Sequence, residues 1–187
     1  KGGADWTEAI IINASDKKLL EDTLRDIKFS GIAWKGNDGF YFSTYEKPKG
    51  SQLSAKTQNH KLYYHKVGTP RSQDKLIFGD DKNPRRYVGG GLTEDERFLI
   101  ISAANSTTGN ELYIQDLKNP SSKIVTIVNN FDNNHGILAK EGDWVRNDTK
   151  GNAPNNRVVE TTLTKPTPEN WKDIIPETEN VLNSGTG

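Results

Sequence analysis

Three ten-residue stretches align on one another without gaps: KLYYHKVGTP (61–70), ELYIQDLKNP (111–120) and RVVETTLTKP (157–166). Each alternates aliphatic or aromatic residues with polar ones and ends on a proline, at Pro70, Pro120 and Pro166. Their starts are separated by 50 and 46 residues, a period at which self-similarity marks propeller blades or solenoid turns. A weaker fourth copy, EAIIINAS, runs from Glu8 to Ser15. The text upstream repeats as well. GIAWKGNDGFYFSTY (31–45) has its counterpart in VGGGLTEDERFLIISAA (88–104), where Leu92 and Phe98 keep the six-residue spacing of Trp34 and Phe40.

Short runs of β-branched and aromatic residues bounded by Gly, Asn, Asp and Pro are strand and turn chemistry. The best helix candidate, SDKKLLEDTLRDI from Ser15 to Ile27, opens on a cap-like serine, but the text that follows favours a strand and turn. Each full repeat reads as four strands, which at this period makes a propeller blade. The expected class is all-β, a partial β-propeller of four-stranded antiparallel blades, about three complete and one partial at either end. The boundaries are a partial blade at 5–26, blades at 29–80, 87–129 and 135–177, and a partial strand at 181–187. Ser30, Gly31, Ala33 and Gly89 to Gly91 suit a first strand at the crowded axis, where backbones approach closely. Trp34 is expected in the core. The stretch 138–156 is the most polar, with Val145, Arg146, Asn147 and Asp148 where an apolar second strand is expected.

Composition narrows function mainly by exclusion. The 25 basic and 25 acidic residues cancel, so no field gathers nucleic acid or an anionic membrane. The chain has no Cys, which removes disulfides, thiolate zinc sites and a cysteine nucleophile. Its 32% hydrophobic residues and 17 glycines give about 41% apolar residues, a thin or divided core by globular standards. No apolar run approaches the ~20 residues that span a bilayer. The start, KGGADWTEAI, and the absence of Met read as the interior of a longer chain, excised or engineered. Blades interrupted at both ends would leave open sheet edges, which pair within the chain or between chains.

No G-x-S-x-G pentapeptide, the setting of a hydrolase serine, occurs in the chain. His60 and His65 are five apart on one strand and so point to opposite faces; with His135 they read as surface or pairing residues. Asp80, Asp81, Glu94, Asp95 and Glu96 sit in turn-like text. None of DDKN, FDNNHG or NDTKGN carries the spacing of a calcium loop. Gly89 to Gly91 lack the following G-K-[ST] of a phosphate loop. The sequons at Asn13, Asn105 and Asn147 carry little weight in so asparagine-rich a chain. No metal and no cofactor is expected.

The stretch IKFSGIAWKGNDGFYFSTYEKP, with NHKLYYHKVGTPRSQDKLIFGDD after it, resembles the propeller domain of the prolyl oligopeptidase family of serine peptidases. GGGLTEDERFLIIS, NELYIQDL and NAPNNRVVETTLTKPTPENWKDIIPETENVL extend the resemblance over nearly the whole chain. It implies a seven-bladed propeller beside an α/β-hydrolase domain that carries a Ser/Asp/His triad, with the propeller restricting access to small peptides. This chain corresponds to roughly the middle half of that propeller. Phe29 matches a family Phe facing the peptide pocket, and Val88 a neighbouring apolar position. Ala104, followed by Asn105 to Thr107, stands where the family can present an Arg to substrate.

The resemblance implies a chain without catalytic residues of its own, serving as substrate filter to a peptidase that cleaves after Pro in short peptides. The implied partners are the hydrolase domain of the parent and proline-containing peptides; the parent family is cytoplasmic or periplasmic, which leaves localisation unknown. The alternative is an excised or engineered half-propeller that self-associates through open blade edges, a homo-oligomer without ligand. A lectin-like propeller would need a polar or aromatic surface motif repeated in every blade, which the sequence lacks.

Overall fold

The computed structural model describes residues 7–27, 31–45, 57–141, 144–149 and 157–175. Among them there is no α-helix, only fourteen strands and two short 3-10 turns. The strands are β1 (Thr7–Ile12), β2 (Leu19–Ile27), β3 (Ile32–Lys35), β4 (Gly39–Thr44), β5 (Lys61–Lys66), β6 (Lys75–Phe78), β7 (Tyr87–Leu92), β8 (Phe98–Ala104), β9 (Glu111–Asp116), β10 (Val125–Val128), β11 (His135–Glu141), β12 (Trp144–Thr149), β13 (Arg157–Thr162) and β14 (Lys172–Ile175). They form a two-stranded sheet, β1-β2, and three four-stranded sheets ordered β3-β4-β5-β6, β7-β8-β9-β10 and β11-β12-β13-β14. All the strand pairings detailed for these sheets are antiparallel. Consecutive strands thus neighbour each other in each sheet, the meander of a propeller blade. The chain divides into two compact units, 1–96 and 97–187.

Segment 15–27 is a turn and a strand, not a helix. Asn13 Oδ1 accepts from the Ser15 N–H at 2.9 Å and from the Ser15 hydroxyl at 2.6 Å, an Asx turn that diverts this serine from helix capping. Lys17 takes a left-handed φ of 58°, and the chain returns antiparallel, Ile12 opposite Leu19. Leu24 and Ile27 of β2 then pack with Ile11, Phe40 and Phe42 in the core of the first unit.

β4 is buried along its whole length because β3 and β5 pair with it on both edges and β7 and β2 lie against it. Phe40, Phe42 and Leu62 are essentially sealed from solvent. In the second unit Phe98, Leu112, Ile114, Ile127 and Val128 form the cluster, with Ile137, Leu163 and Trp171 packed on it. Burying each such side chain contributes roughly 1.5–3 kcal/mol.

Trp34 corrects the sequence reading. One face rests on the Phe40 ring at 4.8 Å, but the side chain is 46% exposed. Its strand β3 has a single sheet neighbour, and the open face borders a cavity of about 710 Å³ shared with Ile11, Ile12, Leu20 and Val67. The polar stretch 138–156 does include a strand. β12 pairs in continuous register with β13, and with β11 across a register shift between Ile137 and Ala139; backbone pairing on both edges satisfies its N–H and C=O groups whatever the side chains.

A latch recurs at the fifth residue of the aligned motif. His65 Nδ1 lies 2.6 Å from Asp74 Oδ1, Gln115 Nε2 donates to Ser122 O at 2.9 Å, and Thr161 Oγ1 donates to Lys165 O at 2.6 Å. Each ties the third strand to the connection leading into the fourth. The repeat keeps the task and varies the chemistry.

Candidate functional site

β7 carries Val88, one of the two positions for which the family resemblance implies a substrate-facing role. Its side chains alternate: Tyr87 is half exposed and Val88 is 2% exposed. A Cβ on Gly90 would come within 2.8 Å of both Leu62 methyl carbons, so glycine is what lets this strand lie against β5. Gly91 has open space instead; crowding accounts for Gly90 and not for the whole glycine run. Val88 packs into the interior of the first unit. Phe29, the other such position, lies outside the described residues.

What holds Val88 is His60, which the sequence does not single out as functional. The Val88 N–H donates to His60 Nδ1 at 2.9 Å. The imidazole is 3% exposed and lies 4.6 Å from the Tyr45 ring and 6.1 Å from the Tyr87 ring. Burial, then the neighbouring Tyr87, pushes the Tyr45 phenol up to about 12, so it stays neutral throughout the physiological range. At the ends of this cluster Lys61 pairs with Asp81 at 2.6 Å and Arg86 with Asp80 at 3.4 Å. The signal that could have flagged His60 is its place immediately before the repeated third strand, where the next repeat has Asn110.

The other histidines divide between latch and cleft. His65 and Asp74 form a His–carboxylate pair of the kind that orients a catalytic base, but their side chains are 1% and 4% exposed. A base must reach the proton it takes, and no substrate reaches this imidazole; the pair is structural. His135 is edge-on to Trp171 at 5.6 Å and borders a shallow polar cleft with Arg157, Asp132 and Glu169. Burial lowers its pKa below the ordinary histidine value. His135 Nδ1 and Arg157 Nε lack hydrogen-bond partners, yet both atoms are shielded from solvent, so a molecule in the cleft does not touch them. Among the described residues no three His, Asp or Glu side chains converge as metal ligands would. Ala104 ends β8, and the turn after it closes on itself through Ser106 Oγ to Thr108 O at 2.8 Å.

Comparison with known proteins gives this arrangement its context. Residues 1–186 match the family model described as prolyl oligopeptidase, N-terminal beta-propeller domain. A prolyl endopeptidase of Elizabethkingia miricola is 52% identical over 190 residues, covering 100% of this chain and 27% of the relative. One from Elizabethkingia meningoseptica is 51% identical, again over 100% of this chain and 26% of the relative. Among solved structures, one from a study of two prolyl endopeptidases superposes with a TM-score of 0.84 at 26% identity, over 98% of this chain and 26% of that one. Prolyl oligopeptidase B of Galerina marginata, bound to a 35mer hydrolysis and macrocyclization substrate, superposes with a TM-score of 0.79 at 26% identity, over 94% and 26% of the two chains. The chain therefore spans about a quarter of the length of the relatives it matches. With three four-stranded antiparallel sheets in series and a family match over residues 1–186, the chain belongs to the prolyl oligopeptidase N-terminal β-propeller family.

Proposed function

We infer that this chain is the non-catalytic, substrate-filtering portion of a serine peptidase that cleaves after Pro in short peptides. The observation that carries the inference is the family match over residues 1–186, joined to 52% identity with a prolyl endopeptidase. On this reading its partners are an α/β-hydrolase domain that supplies the triad and the short proline-containing peptides that domain cleaves. Phe29 and Val88 are proposed to set the propeller's side of the peptide pocket, Val88 through the placement of β7. The full-length protein carrying this region is expected to cleave after Pro in short peptides and to leave the same sequence uncut inside a folded protein. The 187-residue chain alone is expected to give no turnover, and hydrolysis of a Pro-containing peptide by it would overturn the reading.

A second reading has its own support. Ile10, Ile12, Leu19, Ile32 and Trp34 of β1 to β3 are each 44–63% exposed, an apolar concentration of the kind that marks association surfaces. In isolation the chain is then expected to self-associate through these strands. Sedimentation at micromolar concentration would show a dimer or larger species, and a compact, folded monomer would remove this reading.

A further inference from the structure

The residue just before the third strand of a sheet performs one task twice. His60, before β5, accepts the N–H of Val88 through Nδ1 at 2.9 Å. Asn110, before β9, accepts the N–H of His135 through Oδ1 at 2.7 Å. The gapless alignment of 61–70 on 111–120 makes these two positions equivalent, and they are buried, at 3% and 8% exposure. The residue before each is left-handed, Asn59 at φ 60° and Gly109 at φ 77°. Its own N–H also reaches forward, to Pro84 O at 3.1 Å and to Asn134 Oδ1 at 2.7 Å. In both places a sharp turn aims a side chain at one of the first backbone donors of the next sheet's first strand.

The chemistry of the two differs. An amide oxygen accepts at any pH, and Asn110 also donates through Nδ2 to His135 O at 3.1 Å. Imidazole accepts at Nδ1 only while that nitrogen is bare; a protonated ring donates from both nitrogens. Protonation at this atom would set two N–H groups against each other and take the partner from a buried backbone donor. The rings facing His60 belong to Tyr45 and Tyr87. Tyr45 offers no phenolate there in acid, and the flanking cations Lys61 and Arg86 are already engaged with Asp81 and Asp80.

We propose that His60 is an acid-released clasp holding β7 against the first four-stranded sheet, with Asn110 as its pH-insensitive counterpart. The clasp fixes the peptide group of Val88, so its release would disturb the position assigned above to the substrate side. It stands whether or not that assignment does.

Amide hydrogen exchange on the full chain tests this, with protection at Val88 and His135 corrected for intrinsic exchange rates between about pH 8 and pH 5. In the wild type the Val88 to His135 protection ratio should fall roughly two- to tenfold towards acid, the size of one net hydrogen bond. His60→Asn should flatten the ratio, and Asn110→His should move the acid loss to the His135 amide. A constant wild-type ratio, or one as pH-dependent in His60→Asn as in the wild type, overturns the clasp. Imidazole ¹⁵N spectra of the wild type need no variant. They should show a bare Nδ1 and a protonated Nε2 on His60 at neutral pH, and a proton on Nδ1 would overturn the proposal.

Discussion

The sheets β3–β6 and β11–β14 are two solutions to one repeat. In the first, Phe40, Phe42 and Leu62 are sealed, Tyr41 lies tilted against Tyr64 at 4.9 Å, and a buried His65–Asp74 pair holds the connection from β5 to β6. In the last, β13 offers Val159 and Thr161 as its buried side chains, and a threonine hydroxyl makes the same latch. What persists is the backbone plan, while the side chains that fill it are exchangeable in size and polarity. A repeat therefore specifies where a group must sit before it specifies which group.

The largest expected effect sets the two left-handed positions before the third strands against each other. Gly109→Ala would put a Cβ into the Phe131 carbonyl at a φ of 77° and should cost about 4 kcal/mol or more in denaturant unfolding. Asn59→Ala, at φ 60°, should cost only about 1–2 kcal/mol. Equal losses would mean that backbone crowding is the same in both repeats.

Phe40→Ala, removing a ring that is 0% exposed, should cost about 3–5 kcal/mol. Trp34→Ala beside it should cost roughly 1–2 kcal/mol, since only about half its surface is covered. A Trp34 loss as large as that of Phe40 would show the tryptophan covered in solution.

For the latches, His65→Ala takes the imidazole partner from a carboxylate that is 4% exposed and should cost about 2–3 kcal/mol, whereas Thr161→Ala should cost about 1 kcal/mol. A reversal of that order in unfolding midpoints would break the view that one task is met with unequal strength.

The smallest effect is alkaline. Burial, then neighbouring Tyr64, pushes the Tyr41 phenol from an ordinary 10.0 up to about 12, and Tyr45 is raised to the same level. The fold thus favours the protonated phenols. Their contribution is complete below the ordinary value and lost as pH rises from about 10 to about 12. Amide protection across Phe40–Tyr45 should fall before that across Leu112–Ile114 as pH rises through this window. Simultaneous loss would place the alkaline sensitivity elsewhere.

The fold was largely legible because alternation and turn residues are local. Gly39 to Tyr45 reads as a strand from its own composition, and β4 spans Gly39–Thr44. The polar stretch around β12 was less legible, since its strand is fixed by neighbours on both edges and not by apolar periodicity. The candidate site was less legible. Val88 enters through the family resemblance, yet the atom that holds it is His60, 28 residues away, and no local pattern announces that bond.

By itself the sequence determined the all-β class of four-stranded antiparallel sheets and the family, because these rest on short-range alternation and on the order of motifs along the chain. Only the tertiary structure decided that Trp34 is half exposed, that Gly90 makes room for Leu62, and that His60 and Asn110 perform one task with different chemistry. Burial and hydrogen-bond partnership depend on what lies across a sheet face, and side chains many residues apart meet there only once the backbone has closed into sheets.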